Sequence, residues 1–462
     1  MAAAVDGWKR SGLIRGRGIP APSGQHPVGC AHLMHKFEDD TDTLLVRLFY
    51  PCQEGGRRCR YTQWTPHKRY IKGYLEYSKV KAVGFVSTVV GWLTEPKVPA
   101  LRDAPLYMGK QDAEAECSPS EATPTSSPSL FPVLVYSHGL GAMSMTYSAI
   151  CCDLASHGYV VASVEHRDRS ACVSHLRVPT PGKDGLMDEW LEHRFLREGE
   201  KEFPVRNEQV KKRSSDARRA LDVLGLLNEG APVGNLLGVD LDFGQFKGRL
   251  DLNMAGMMGH SFGGATVIQT LSEDQRFKCG VCLDTWMLPV HKELYENGSV
   301  IQQPLIFINS FDFQWKENIE QMTKMTTPPN EQGISTSRIL TLIGTNHLYQ
   351  SDVLFLFPTW LSSSTLSTLD VSIAHAVNMD TSHAFLKRHL LMDPSYQGPI
   401  PNLDGCEGHS EHILFGSNID ITPSDEAGQE DHVATTGQEE VVSSDVGGNS
   451  EQKQESSVSS NL

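Results

Sequence analysis

Long apolar runs are missing from this 462-residue chain. No uninterrupted apolar stretch approaches the roughly 18 residues that a membrane-spanning helix needs. The first residues also lack the apolar run of a secretory signal peptide, and Ala2 stands where N-myristoylation requires glycine. As written, the sequence therefore predicts a cytoplasmic or peripheral membrane protein.

A cysteine pattern typical of metal binding is also missing. The ten cysteines contain one Cys-x-x-Cys pair, Cys279 and Cys282, and neither a second pair nor a histidine stands at zinc spacing. Because the pair lies in an apolar, strand-like run, we predict two buried thiols. We therefore expect neither a metal nor a cofactor.

The chain has fewer basic than acidic residues, 41 against 56. The formal net charge is −15, and the segment from Gly405 to Leu462 contributes −11 of it through 12 acidic residues and one lysine. The rest of the chain is nearly neutral, which gives no reason to expect nucleic-acid binding. A tail so acidic and so poor in large apolar side chains cannot offset the entropy of ordering, so we predict disorder over residues 401–462.

One catalytic domain is predicted over residues 29–400. Residues 1–28 are rich in glycine and proline and predict a loosely ordered N-terminus, and residues 110–129 predict a flexible insertion. Alternating strand-like and helix-like segments in the domain predict an α/β fold, with a mainly parallel sheet and helices on both faces. The predicted strands are residues 44–50, 131–136, 159–164, 254–258, 280–283, 305–309 and 338–343, and the predicted helices include 205–227 and 381–391.

The segment from Gly259 to Gly263 reads Gly-x-Ser-x-Gly, between an apolar run and a helix-like run. This context is typical of a nucleophile elbow, a sharp turn that lifts the serine clear of the sheet. The two glycines avoid collisions with the neighbouring strand and helix. Because so short a pattern often occurs by chance, a nucleophilic role for Ser261 requires a base and an acid elsewhere in the chain.

Both partners are available at predicted strand ends. Asp284 follows a short apolar strand, and His347 follows the last clear strand. Reactive groups of an open α/β sheet lie at such carboxyl ends, and the order Ser, Asp, His is that of α/β-hydrolases. We predict Ser261 as the nucleophile, His347 as the general base and Asp284 as the acid that orients it.

Other residues compete for these roles. Asp312 follows another strand end and is the alternative acid. His260 abuts the serine, points elsewhere and is predicted to serve packing. His375, His383 and His389 fall in a helical or loop region, where we expect solvated histidines.

A tetrahedral intermediate also needs two N–H donors for its oxyanion. One is the amide that follows the nucleophile, here Phe262, and the other comes from a loop after an early strand. The segment from His138 to Gly141 is such a loop, because its glycines let the backbone approach a substrate. The backbone amides of Leu140 and Phe262 are the predicted donors.

Four segments resemble a known family: Ser-His-Gly-Leu-Gly-Ala (137–142), Val-Glu-His-Arg-Asp-Arg-Ser-Ala (164–171), the elbow and its helix (259–277) and Leu-Asp-x-Trp-Met (283–287). Over residues 25–395 the chain resembles the platelet-activating factor acetylhydrolases, and the elbow segment is closer to the plasma, lipoprotein-associated phospholipase A2 branch than to the intracellular type II branch. The resemblance implies an α/β-hydrolase fold and a calcium-independent serine esterase that removes short or oxidised sn-2 acyl chains from phospholipids. It places the triad on Ser261, Asp284 and His347 and the oxyanion donors on Leu140 and Phe262.

The chain departs from this family at positions that border the pocket. Thr285 replaces a usual alanine, residues 143 and 144 (Met-Ser) replace Phe-Arg, and Asn346 replaces valine. These changes bear on substrate preference and leave the predicted chemistry intact. The resemblance also implies a phospholipid substrate and peripheral contact with a membrane or lipoprotein surface. An extracellular location is expected only if the N-terminus is incomplete.

Residues 82–93 form a strongly apolar segment in which only Ser87 and Thr88 are polar. The simpler interpretation is a buried helix. The alternative is a helix whose apolar face enters lipid, with Trp92 at the interface. The candidate inserting side chains are Phe85, Val86, Val89, Trp92 and Leu93. The resemblance implies a second lipid-contacting helix near residues 358–366.

Rival functions share these features. A non-catalytic lipid-binding module predicts a broken triad, whereas all three members are present here. An acyltransferase, or a general lipase or carboxylesterase, would form the same acyl-enzyme on Ser261. Only the ester and the acyl acceptor separate these activities from a phospholipid esterase.

Overall fold

A computed structural model gives the fold of residues 18–37, 43–53, 60–79, 96–108, 130–238, 241–296, 300–326, 337–356, 367–391 and 410–421. The predicted insertion at 110–129 and the two lipid-contacting segments at 82–93 and 358–366 lie outside these residues. Those three assignments stay predictions. No helix in the ranges given above is long and apolar enough to cross a membrane.

One large sheet organises the described residues. Its strands, and those of a separate hairpin (β7 and β8), are β1 (Val28–Lys36), β2 (Thr43–Pro51), β3 (Tyr61–Gln63), β4 (Lys97–Arg102), β5 (Phe131–Ser137), β6 (Val160–Glu165), β7 (Val173–Pro179), β8 (Leu186–Glu192), β9 (Leu250–His260), β10 (Phe277–Leu283), β11 (Leu305–Ser310), β12 (Arg338–Leu342) and β13 (Ile413–Phe415). The α-helices are α1 (Lys68–Tyr77), α2 (Ser148–Ser156), α3 (Glu202–Glu229), α4 (Phe262–Glu273), α5 (Lys316–Thr323), α6 (Val353–Leu356) and α7 (Val371–Leu386).

The strand order in the large sheet is β13-β12-β11-β10-β9-β5-β6-β2-β1-β4-β3. The six strands from β12 to β6 in this order run parallel. Strands β2 and β13 flank them and pair in the antiparallel sense. A mainly parallel sheet was predicted, and this order confirms it. The carboxyl ends of the parallel strands therefore meet along one edge of the sheet, which is where an α/β protein places its reactive groups.

Helices cover both faces of the sheet, because side chains along each buried strand alternate between two apolar layers. In β5, Val133 and Val135 enter the layer that includes side chains of α3 and α4. Leu134 and Tyr136 enter the opposite layer, which includes side chains of α2 and α7. The α/β-hydrolase architecture that the sequence predicted is thus observed.

The predicted strands of the core match β2, β5, β6, β9, β10, β11 and β12. The predicted buried thiols are confirmed as well, because Cys279 and Cys282 are both buried in β10. Their side chains enter opposite apolar layers, as an odd spacing in a strand requires. The final helix, predicted over 381–391, instead spans Val371–Leu386 and continues as a π-helical turn at Lys387–Leu391.

The prediction of a loosely ordered N-terminus is wrong for residues 18–28. Ile19 is fully buried, and the His26 amide donates to the Ser156 carbonyl at 3.0 Å. Gly24 lies against the end of α2 so closely that a Cβ there would meet the Ser156 backbone at 2.3 Å. The glycine that suggested disorder is what lets this segment pack tightly on the helix.

The prediction of a disordered tail is wrong for residues 410–421. Ile413–Phe415 forms β13 at the edge of the sheet, antiparallel to β12, and Ile413 is buried. The Gly416 amide also donates to the Ile339 carbonyl at 2.9 Å. A short apolar triplet was hidden by the acidic composition around it, and strand pairing supplies backbone hydrogen bonds that composition does not register.

We expect truncation to separate the two parts of the tail. A chain that ends at residue 421 keeps β13 and should match the full chain in thermal unfolding. A chain that ends at residue 409 exposes the edge of β12 and loses the buried Ile413, so its unfolding free energy should fall by about 1.5–3 kcal/mol or more. Equal unfolding midpoints for the two truncated chains would contradict a structural role for β13.

Candidate active site

The elbow between β9 and α4 is built by close backbone contacts. A Cβ on Gly259 would lie 2.3 Å from the Gly263 carbonyl oxygen, and one on Gly263 would lie 2.0 Å from the Ser137 carbonyl oxygen. Only glycine fits at either position. Ser261, between them, has φ 58° and ψ −116°, a strained conformation for a residue with a side chain. Its amide donates to the Leu283 carbonyl at 2.8 Å, which ties the turn to the end of β10.

Asp284 follows β10 directly and is fully buried. Its φ of 42° turns the chain at the strand end, and its amide donates to the Ile308 carbonyl at 3.0 Å. The Ser310 hydroxyl donates to Asp284 Oδ2 at 2.7 Å, and the Ser310 amide donates to Oδ1. These donors compensate the charge of a carboxylate that water cannot reach.

His347 begins a short 3₁₀ helix after β12, and the Asn346 side chain caps this helix by accepting from the Leu348 amide. His347 Nδ1 lies 3.1 Å from Asp284 Oδ2. An ionised carboxylate only accepts hydrogen bonds, so Nδ1 carries the proton and Nε2 keeps a lone pair. Phe313 stacks on the ring at a centroid distance of 3.8 Å, which restrains its orientation. The pair can therefore present a basic nitrogen.

His260 was predicted to point elsewhere, but its ring lies against His347. Its ring centroid is 4.3 Å from that of His347, and burial holds the pKa of His260 well below its usual range. The Tyr147 hydroxyl donates to the neutral His260 Nδ1 at 2.8 Å and accepts from the Gly139 amide at 3.0 Å. His260 and Tyr147 thus connect the elbow to the loop after β5.

That loop holds one of the predicted oxyanion donors. The Gly139 amide is used by Tyr147, and the Gly141 amide donates to the Ser170 carbonyl at 2.7 Å. The Leu140 amide, between them, has no hydrogen-bond acceptor among the described residues. Gly139 also lies beside Ser261, because a Cβ there would be 3.3 Å from Ser261 Cβ. The loop and the elbow therefore border one space at the carboxyl edge of the sheet.

Sequence reasoning missed Arg213, which lies in α3, within the helix that was predicted over residues 205–227. Its guanidinium is fully buried and donates to the His138 carbonyl at 2.5 Å. It forms an ion pair with Asp168 at 3.3 Å and lies 4.3 Å from the centre of the Phe262 ring. One side chain thus connects the loop after β5, the loop after β6 and the first residue of α4. An arginine at an inward position of a polar helix was the signal available.

Glu165, at the end of β6, was also missed. Burial raises its pKa to about 7, against the hydrogen bonds from Ser144 that lower it. The Ser144 hydroxyl donates to Glu165 Oε2 at 2.8 Å and the amide donates at 3.0 Å. Ser144, one of the residues that depart from the family pattern, therefore binds a buried acid.

The competing residues lie elsewhere or have other contacts. The Asp312 amide donates to the Thr345 carbonyl at 3.2 Å, whereas the Nδ1 contact of His347 goes to Asp284. The expectation of solvated histidines is wrong for His383, whose Nε2 lies 2.9 Å from Asp153 Oδ1. His389 is half-buried, and burial lowers its pKa to about 4. Burial likewise lowers the pKa of His375. A helix that packs on the sheet brought these rings inward.

Comparison with known proteins gives a consistent result. Residues 12–405 match the family model described as platelet-activating factor acetylhydrolase, isoform II. The chain is 37% identical to the platelet-activating factor acetylhydrolase of Bos taurus, with 87% of this chain and 84% of the relative covered. It is 34% identical to the protein of the same name from Gallus gallus, with 92% and 95% covered.

A solved structure shares the fold at low sequence identity. It is a ferulic acid esterase from Streptomyces cinnamoneus, with a TM-score of 0.54 and 22% identity, covering 87% of this chain and 99% of that protein. At this identity the likeness shows the fold alone, and that fold is consistent with an α/β-hydrolase.

The contact between Asp284 and His347 gives a direct test of the acid. Asp284→Asn would offer an amide to Nδ1 and favour the wrong imidazole tautomer, so turnover of a soluble ester should fall on the order of 10⁴-fold in kcat. The matched variant Asp312→Asn should retain turnover. Near-normal activity in Asp284→Asn with a collapse in Asp312→Asn would assign the acid role to Asp312.

Proposed function

The chain belongs to the platelet-activating factor acetylhydrolase, isoform II, family and is a phospholipid ester hydrolase, and from this we propose its finer specificity and mechanism. The proposed substrate ester is the sn-2 acetyl, short or oxidised acyl group of phospholipids such as platelet-activating factor. The proposed nucleophile is Ser261. The observation that carries the mechanism is the contact of 3.1 Å between His347 Nδ1 and buried Asp284.

The first half of the proposed reaction forms an acyl-enzyme. Ser261 Oγ attacks the sn-2 carbonyl carbon while His347 Nε2 takes its proton. The carbonyl oxygen becomes an oxyanion, for which the Leu140 and Phe262 amides are the proposed donors. Phe262 begins α4, so the positive end of this helix also faces the developing charge. Asp284 stabilises the imidazolium that forms.

The second half releases the acyl group. His347 gives its proton to the sn-2 alcohol oxygen, and the C–O bond of the substrate ester breaks to free the lysophospholipid. Water then attacks the acyl carbon as His347 takes its proton, and Ser261 leaves with that proton restored. The products are a carboxylic acid and a lysophospholipid. An alcohol in place of water would give acyl transfer, which is the rival activity.

Labelling and product analysis test this proposal. An organophosphate probe should label the chain at Ser261, and Ser261→Ala should lose both labelling and hydrolysis of a short-chain sn-2 phospholipid. Hydrolysis by the unchanged chain should persist in a chelator, since the proposed steps use protein donors throughout. Labelling that survives in Ser261→Ala would refute the nucleophile. An ester product with added alcohol, at the expense of free acid, would favour the acyltransferase.

We further propose that the enzyme takes its substrate from a lipid surface through residues 82–93. A phospholipid esterase must reach a substrate held in an aggregate, and the chain outside the acidic tail is nearly neutral. Apolar insertion therefore has to supply the binding. Each buried apolar side chain contributes about 1.5–3 kcal/mol, so two or three suffice for reversible docking.

A double substitution tests the docking segment. Trp92→Glu with Leu93→Glu should weaken binding to phospholipid vesicles, while hydrolysis of a water-soluble short-chain ester should survive, because a surface segment does not support the fold. Ser87→Glu with Thr88→Glu, which changes two residues that are already polar, is the charge-matched control. Loss of both activities together with the thermal transition would mean that residues 82–93 belong to the core.

A further inference from the structure

A second cluster of ionisable side chains lies away from the proposed triad. Asp153, at the end of α2, is almost fully buried, and its Oδ1 atom lies 2.9 Å from His383 Nε2 and 3.5 Å from His157 Nδ1. The two imidazole rings are 4.0 Å apart between centroids. One nitrogen of each ring and one carboxylate oxygen all lie within 4.8 Å of one another.

We propose that Asp153, His157 and His383 form a zinc site. Zinc binds carboxylate oxygen and imidazole nitrogen at about 2.0–2.2 Å in a tetrahedral arrangement, so two ligand atoms on one ion lie roughly 3.4 Å apart. The two contacts of Asp153 Oδ1, 2.9 and 3.5 Å, are close to that separation. The three side chains therefore have to move only slightly to accept an ion, and water takes the fourth position.

The surroundings of Asp153 hold one carboxylate oxygen in position beside the two histidines. The residue is almost fully buried, and its Oδ1 atom faces both imidazole rings. Its Oδ2 atom accepts from the Ser23 amide at 2.8 Å, which fixes the orientation of Oδ1 toward the histidines. Two imidazole nitrogens and one carboxylate oxygen are a ligand set that zinc uses in proteins.

The two histidines are accessible to an ion from solvent. The side chain of His157 is 36% exposed and that of His383 is 16% exposed. His157 Nδ1 also lies 2.9 Å from the Asp153 backbone carbonyl oxygen.

When the ion binds, each imidazole ring ligates it through the unprotonated nitrogen and keeps its proton on the nitrogen that faces away from the ion. Two imidazole nitrogens and one oxygen suit zinc and its neighbours, whereas magnesium and calcium prefer oxygen ligands alone.

The cluster lies at the opposite edge of the sheet from the triad. Helix α2 runs back from the carboxyl end of β5 to the start of β6, so Asp153 and His157 lie near the amino ends of the strands. His383 lies in the last turn of α7. An ion here would connect α2, α7 and the segment around Ser23. Its expected role is to stabilise the fold, and hydrolysis does not depend on it.

Zinc titration by calorimetry tests the proposal, provided that zinc cannot bind at the other group of potential ligands. His260, Asp284 and His347 also have ligand atoms within 4.8 Å of one another, so the His347→Gln chain is the reference protein. We expect it to bind one zinc ion and to gain thermal stability, while magnesium does neither. Adding His157→Gln and His383→Gln should weaken zinc binding by more than the roughly 10–100-fold that loss of an outer-shell partner costs.

His291→Gln is the matched control in the same reference protein. Its ring is 37% exposed, close to the value for His157, and lies 3.5 Å from a carboxylate oxygen of Glu293. This variant should bind zinc as the reference does. Zinc binding that is unchanged without His157 and His383, or no saturable binding to the reference chain, would overturn the proposal.

Two further measurements distinguish loss of the zinc site from misfolding of the double histidine variant. The metal-free thermal transition of the double histidine variant should resemble that of the reference, and with His347 intact the same variant should hydrolyse a soluble ester normally. X-ray absorption of the zinc-loaded reference should show two imidazole ligands. Absence of imidazole scattering would refute the site even if the histidine variants proved unstable.

Discussion

The architecture of the site depends on the close approach of three backbone segments at the elbow. Gly263 lies so near the Ser137 carbonyl oxygen that a Cβ would be 2.0 Å away from it, and a Cβ on Gly259 would lie 2.3 Å from the Gly263 carbonyl oxygen. This packing holds the first turn of α4 against the end of β5. As a result the strained Ser261, the amide of Phe262 and the loop after β5 all border one space. Larger side chains at these glycines would separate Ser261 from the loop after β5.

Around the elbow, buried polar contacts fix the positions of the neighbouring loops and side chains, which backbone packing alone does not determine. The Arg213 guanidinium holds the His138 carbonyl, Asp168 and the Phe262 ring in place, because its planar fork can serve several acceptors at once. Ser310, at the end of the neighbouring strand β11, donates a hydrogen bond to Asp284 Oδ2, and the same oxygen contacts His347 Nδ1. Such networks leave few buried charges uncompensated, and removing one partner is costly for that reason.

The carboxyl and amino edges of the large sheet carry different groups of side chains. The carboxyl edge gathers the ends of β9, β10 and β12, which carry Ser261, Asp284 and the segment that leads to His347. The amino edge gathers the end of α2 with α7 and the segment around Ser23, where Asp153 collects its two histidines. Parallel strands joined by helices produce this division, since every connecting helix returns the chain from one edge to the other.

The sequence alone determined the strands, the sheet type and the residues placed at strand ends, because hydrophobic period and the Gly-x-Ser-x-Gly spacing are local signals. The contact between Asp284 and His347 was foreseeable for the same reason. Arg213, the paired Asp153 and His383, and the strand at Ile413–Phe415 were decided only by tertiary structure. Each depends on partners far away in the chain, such as His138, Ser23 and β12. Composition around these residues suggested solvent or disorder, whereas their environment is set by the elements that pack against them.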